Sequence, residues 1–529
     1  MERTLDLAEL PNGNLPTPAS AVAAAGANRP ATAAVLAAVL LGMLGDALFR
    51  APGLGISLLL WAAAAVAATI WVSRVHQRRI ARAHWWPVGP LLFFAAVFAW
   101  RTADGLLVLN LFAMLSAFML LALAVGGQPV DLVRAGMGDF IFGGISIGLS
   151  GAVGTPILIA GDRALSDRGA RPRWRTAMAI ARGALIAIPV LVVFGALLTA
   201  ADARFEQILA TLVDIDFAET VGHIVFAGFI GWVAGGYLRA AAVADHPLGL
   251  PAGARPRRLA LGMTELATVF GLIDALFLLF VAIQLPHLFG GAAHVQYIEG
   301  LTVAEYARSG FFELVTVAAL VLPLLLVGAA LVKPGSDRDW RVYRALSAGM
   351  IALVGLMVAS ALQRLTLYVA SFGLSEGRVY ATAAIVWLAI VFSLFASTVL
   401  RRRSGGFAFA AMISGWLVLV ALDVANPQAL VVRINAGRAT ASARFDWKYA
   451  AALDADAAPA LANVLPTLDA ESRCAVAARL DGLTAERQAR LIGDWRSWNL
   501  GRARAFRAST TANLAPILAR CPETVIADH

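Results

Sequence analysis

Residues 105–126 read GLLVLNLFAMLSAFMLLALAVG, a run with no charged side chain, in which Asn110 and Ser116 are the only polar interruptions. Coiled as an α-helix, such a run is about 33 Å long and matches the hydrocarbon core of a bilayer, about 30 Å thick. Ten further stretches of comparable character lie on either side of it. The set is 31–49, 52–72, 86–100, 105–126, 176–199, 218–238, 263–286, 304–332, 346–370, 379–400 and 405–425. The fold class expected is therefore all-α: a polytopic bundle of about eleven transmembrane helices followed by a small helical extramembrane domain. The third stretch is short, but Trp85, Trp86 and Trp100 supply interfacial anchors at both of its ends.

The whole composition agrees. Of 529 residues, 60% are hydrophobic and 15% charged, against about 45–50% and about 25% in soluble domains. A water-soluble enzyme, a nucleic-acid binder and a secreted scaffold are excluded. The charge of +9 comes from 41 Arg and 2 Lys, a skew that fits a genome-wide composition bias better than recognition of an anion. Basic residues stay on the cytoplasmic side during insertion. Alternate connections (73–85, 127–175, 239–262, 333–345, 401–406) hold 21 of them, against 4 in the intervening set. That asymmetry predicts a cytoplasmic N-terminus and an extracytoplasmic C-terminus.

Residues 1–30, rich in Ala, Pro, Asn and Gly, are expected to be a disordered cytoplasmic tail ahead of the transmembrane domain, 31–426. The segment 139–160 is apolar but carries Gly143, Gly144, Gly148, Gly151 and Gly154. It is expected to be a re-entrant or interfacial piece, since a full crossing would carry Arg163 to Arg175 to the outside. Phe205, Ile208, Leu209, Leu212 and Val213 fall at helical spacing among acidic residues, as in a helix lying on the outer surface. From 427 to 529 the chain becomes polar enough for a soluble helical domain, which the parity places in the periplasm or its equivalent. Both cysteines, Cys474 and Cys521, lie there, where a disulfide is chemically permitted and two buried thiols are the alternative.

An ionisable group inside a span costs about 2.5–3.5 kcal/mol and must meet a partner or a cavity. Asp274 in the seventh span, Glu305, Arg308 and Glu313 in the eighth, and Arg364 with Tyr368 in the ninth form the candidate polar seam. Glu305, Ser309 and Glu313 share one helical face, and Glu313 and Arg364 lie at similar depths on adjacent antiparallel helices, so a pair between them is expected. The seam suits a proton or cation relay, an anchor for an anionic ligand at Arg308 or Arg364, or an ion pair that clamps the helices. Asp274 lacks a cation in its own helix and could be held protonated by Asn110, His223 or Gln284.

Catalytic signatures are weak. Gly144 to Gly148 matches G-x-S-x-G without the strand-turn-helix context of a nucleophile elbow. Gly148-Leu-Ser-Gly151 is similar to the G-x-S-G of rhomboid proteases, but the glycines after His223 fall at the wrong spacing. Asp214-Ile-Asp216, Asp337-Arg-Asp339 and Asp454-Ala-Asp456 are too short to specify a metal site, and nothing points to a cofactor.

The string Ala304-Glu-Tyr-Ala-Arg-Ser-Gly-Phe-Phe-Glu-Leu314 resembles the signature of an uncharacterised family of bacterial polytopic membrane proteins, catalogued as a domain of unknown function. Asp46-Ala-Leu-Phe49 with Pro52-Gly53, Arg364-Leu-Thr-Leu-Tyr368 with Glu376 and Tyr380, Asn426-Pro427 leading to Asn435, and Asp494-Trp-Arg-Ser-Trp-Asn499 with Arg502 are similar to it as well. The resemblance implies an inner-membrane location with lipids as partners and carries no activity. Two functions are expected to compete. One is a non-enzymatic protein of solute transport, sensing or envelope scaffolding, and the other is an integral-membrane transferase on a lipid-linked donor. The short connection Arg50-Ala51 between the first two spans counts against the second, because such enzymes carry acidic residues in a large first outer loop.

Overall fold

The computed structural model describes residues 18–51, 53–78, 80–127, 130–166, 217–244, 262–289, 311–332, 336–402, 405–439, 445–491 and 494–522. Every regular element among them is helical. The long helices are α1 (Pro18–Phe49), α2 (Ile56–Val75), α4 (Asp104–Val125), α5 (Met137–Ser166) and α6 (Phe217–Leu238), then α7 (Met263–Phe289), α8 (Phe311–Leu331), α9 (Asp337–Phe372), α10 (Glu376–Ser397) and α11 (Phe407–Ala425). Ten described helices are long and apolar enough to cross a membrane, and together they make a polytopic all-α bundle.

Three expectations need correction, and two more fall outside what is described. The short third stretch is a ten-residue helix, α3 (Val88–Val97), and is not among the ten membrane-length helices. Leu91, Phe94, Ala95 and Val97 bury one face of it within the protein, where it packs on α2 and α4, while Gly89 on its other side is exposed. The glycine-rich segment is not irregular backbone. It is the continuous helix α5, and its glycines allow backbone approach to α6: a Cβ on Gly236 would stand 2.0 Å from the carbonyl oxygen of Ser150. Thr155 Oγ1 donates to the Trp232 carbonyl at 2.6 Å and Trp232 Nε1 to the Ala152 carbonyl at 2.7 Å. Helix α1 starts at Pro18, ahead of the expected Ala31, in an alanine-rich stretch of high helix propensity. The expected span 176–199 and the surface helix around 205–213 lie outside the described residues.

The connections sort into two ends. At one end the Arg-rich turns meet: Arg78 bonds the carbonyls of Val243 and Ala244, and Arg402 pairs with Asp337 at 2.7 Å. At the other end stand Arg50, Trp100 to Ala103, Phe372 to Glu376 and Asn426. Helices α1 and α6 run antiparallel between the ends, with Gly42 against Ala227 and Gly231 against Ala38.

Beyond Asn426 follow α12 (Pro427–Arg438), α13 (Trp447–Ala451), α14 (Ala458–Val464), α15 (Ala470–Leu491), α16 (Leu500–Thr511) and α17 (Ala515–Leu518). They enclose a core of their own around Val432, Leu461, Leu465, Val476 and Leu480. Cys474 in α15 and Cys521 after α17 are bonded, with Cα atoms 5.6 Å apart.

Candidate functional site

Helix ends leave backbone groups without partners, and at the end of the bundle facing α12–α17 the C-terminal helices supply them. Asp456, just ahead of α14, accepts from the amides of Thr102 at 2.7 Å and Ala103 at 3.3 Å, which open α4. Thr102 Oγ1 in turn accepts from the Asp456 amide at 3.0 Å. This is the reciprocal logic of a capping box, made between chain segments far apart in sequence rather than within one helix. Asn499, buried, donates from Nδ2 to the carbonyls of Phe98 and Arg101, both at 2.8 Å, and its Oδ1 caps α16 at the Arg502 amide. The Leu500 amide adds a bond to the Ala99 carbonyl at 2.7 Å. One short turn, 98–103, thus has the carbonyls of Phe98, Ala99 and Arg101 and the amides of Thr102 and Ala103 bonded by the C-terminal unit.

The second half of the bundle is held in the same way. Asn426 sits in the left-handed region at φ 54°, which asparagine tolerates, ending α11 and capping α12 at the Ala429 amide. Pro427 follows at the first helical position, and Asn426 Nδ2 reaches the Asp456 carbonyl at 3.0 Å. Asn435 brackets Leu374, accepting from its amide at 2.7 Å and donating to its carbonyl at 2.8 Å. Gly373 makes this possible. Its φ is 78°, and a Cβ there would meet Asn435 Oδ1 at 2.7 Å. Tyr449 Oη accepts from the Glu376 amide at 2.9 Å, and Tyr380 donates to Glu376 Oε1 at 3.1 Å.

Arg101 stands where these contacts converge and is 5% exposed. Its Nε donates to the Asp423 carbonyl at 2.7 Å, its Nη2 bonds the same oxygen, and its Nη1 lies 3.8 Å from Asp456 Oδ1. The guanidinium also covers the Trp100 ring, with its central carbon 4.6 Å from the centroid. Burial pushes the Asp456 carboxyl above the usual range, opposed by the Thr102 amide and by Arg101, while burial pulls Arg101 below its ordinary value, opposed by Asp456 and Asp423. Each charge thus offsets part of the burial of the other. Next to them Asp423, fully buried in α11, accepts from Asn110 of α4 at 2.9 Å. The arrangement neutralises and holds. No group in it is both nucleophilic and exposed.

Of the seam expected from sequence, four residues can be placed. Glu305 and Arg308 lie outside the described residues. Glu313 is exposed in the first described turn of α8, Arg364 is half-buried in α9, and no ion pair joins them among the described residues. Tyr368 is covered by the Arg378 guanidinium, 4.0 Å from the ring centroid. Asp274 is half-buried in α7, near Gly349 of α9, with Oδ1 buried and without a hydrogen-bond partner among the described residues. Asp46 belongs to a separate polar cluster at the end of α1, 2.7 Å from Arg50 Nε and 2.5 Å from His223 Nδ1.

Sequence reasoning missed Arg101, Asp423 and Asp456. The insertion-cost argument that marks Asp274 applies equally to Asp423, which lies within the last span. Asp456 is hidden in a short Asp-x-Asp pattern, and Arg101 looks like an ordinary loop charge. The strings that carry the family resemblance do converge here, since Glu376, Tyr380, Asn426, Asn435, Asn499 and Arg502 all belong to this junction or its caps.

No curated protein and no solved structure matches the chain. A family model described as a domain of unknown function, DUF4153, matches residues 88–464, from α3 through α14, and so takes in Arg101, Asn110, Asp423 and Asp456. With most of its length matched, the chain belongs to the DUF4153 family of uncharacterised proteins.

Proposed function

We propose that this integral membrane protein is a non-catalytic scaffold or sensor of the bacterial inner membrane, carrying α12–α17 in a fixed orientation on the extracytoplasmic face. The observation that supports this most is the cross-capping at 98–103: α3 and α4 are finished by residues of α16 and of the segment ahead of α14. Side-chain caps contribute about 0.5–2 kcal/mol each, and opening a buried ion pair costs about 3–5 kcal/mol. A hinge at this junction would have to surrender several such terms together. Fixed presentation suits engagement of another envelope component better than a moving gate does. The orientation is inferred from the basic residues of connections gathered at the opposite end, such as Arg78, Arg134 and Arg402; the arginines that follow α5, a helix of membrane length, are left out of that count.

Spin labels at exposed Asp104 and Glu471 test this reading. A single narrow distance, unchanged by pH and lipid composition, is expected from the full-length protein in nanodiscs. Two populations exchanging with conditions would show that the unit moves, and the scaffold reading would fail.

Ion movement is a second reading, supported by the buried Asp274 oxygen that has no hydrogen-bond partner among the described residues. If it holds, proteoliposomes containing wild-type protein should acidify an entrapped pH dye under a proton gradient faster than those containing Asp274→Asn. Equal rates would remove it.

A further inference from the structure

The Asp494–Asn499 segment carries two large aromatic side chains that the protein itself does not cover. Trp495 is 64% exposed and Trp498 46% exposed. On a soluble surface such a pair is an aggregation hazard, and its position decides what it faces. The Trp498 carbonyl accepts from the Ile56 amide at 3.0 Å, and Arg496 bonds the Ala47 carbonyl. Ile56 opens the membrane-length helix α2, and Ala47 lies in the last turn of α1. The segment is therefore fixed at the level where two apolar spans end, one hydrogen bond from the edge of the hydrocarbon.

Gly55 makes this contact close. A Cβ there would stand 2.5 Å from the Trp498 carbonyl oxygen, so no side chain separates the tryptophan segment from the helix end. Exposed Leu54 continues the apolar rim on the connection between α1 and α2. The charge between the two indoles is cancelled, because Asp494 grips Arg496 through both carboxylate oxygens, each 2.7 Å from Nε. An uncharged, aromatic-rich turn at this depth has the chemistry of the interfacial belt. Indoles favour the headgroup layer, where the ring meets apolar chains and the N–H finds polar partners.

We propose that Asp494–Asn499 is a membrane-interface anchor that seats the C-terminal unit on the bilayer, with Trp495 and Trp498 among the headgroups of the leaflet on the C-terminal side. The occupant is lipid, without preference for headgroup charge, since no unpaired cation lies between the rings. The anchor does not depend on whether the bundle is a scaffold or a conduit.

The test uses full-length protein in phosphatidylcholine vesicles. Trp495→Cys carries an environment-sensitive fluorophore, and labelling is selective because both native cysteines are bonded. A nitroxide on the lipid headgroup is expected to reduce emission about twofold, with iodide in the aqueous phase having little effect, as befits a group at interfacial depth. Adding anionic lipid should leave the ratio unchanged. Strong iodide quenching without nitroxide quenching would place the segment in water and overturn the proposal. Protection from both quenchers would mean that protein covers it, which overturns the proposal too. A label at Leu54→Cys, on the same rim, repeats the measurement independently should the tryptophan variant misfold.

Discussion

Asp456→Ala is expected to destabilise the full-length protein by about 3–5 kcal/mol, the range for stranding one partner of a buried ion pair. The substitution removes the one carboxylate paired with the buried Arg101 guanidinium, leaving only the Asp423 carboxyl nearby, and it strips the amides of Thr102 and Ala103 of their acceptor. Arg101→Ala should be comparably harmful, since it uncovers the Asp456 charge and frees the Asp423 carbonyl. Replacing both residues with apolar ones, Arg101→Met with Asp456→Leu, should cost clearly less than the two losses added together, because no charge is then stranded. The uncapped amides of α4 would remain, so the double variant should not regain wild-type stability. Unfolding midpoints in detergent read all four proteins. The exposed pair Arg402–Asp337 provides the comparison, and Asp337→Ala is expected to change stability by about 1 kcal/mol or less. Additive losses at Arg101 and Asp456, or a loss at Asp456 no larger than at Asp337, would show that the junction is not held by this pair.

Much of the bundle can be read from local sequence because lipid imposes a simple rule: a spanning segment must be long, apolar and internally hydrogen-bonded. The rule fails where protein replaces lipid as the solvent. Residues 86–100 count as apolar and carry tryptophans at both ends, yet α3 stops at Val97 because Asn499 and the Leu500 amide take up the carbonyls of the turn that follows. Glycines in 139–160 suggest broken backbone when read alone. Beside Gly236 they become a contact surface, and that neighbour is 82 positions on from Gly154. The candidate site was legible as fragments: Asn426-Pro427 announces a helix start, and Asn499 a cap. Its centre was not, because Thr102 meets Asp456 across 354 positions of sequence and no local pattern encodes which carboxylate neutralises Arg101.

Reduction of the bond between Cys474 and Cys521 should loosen the C-terminal unit selectively. The bridge spans a sequence separation of 47 residues and encloses α16, α17 and the tryptophan segment. Constraining an unfolded loop of that size contributes about 4 kcal/mol in the chain-entropy model, a large share of the about 5–15 kcal/mol typical of a whole domain. Asn499 and Trp498 lie inside the loop, whereas Asp456 and Asn426 lie before it. Cys474→Ala with Cys521→Ala should therefore raise amide exchange across 498–518 and weaken the contacts of Asn499 to Phe98 and Arg101. The amides of Thr102 and Ala103, held by Asp456, should stay protected by comparison. The same bond reports the compartment, since disulfides persist where the milieu is oxidising. Protein isolated with thiols blocked, then denatured without reductant, should show no reactive cysteine. Two labelled thiols would contradict either the bridge or the extracytoplasmic placement of the unit, and uniform loss of protection across all of 427–518 would show that the outer caps depend on the loop rather than standing without it.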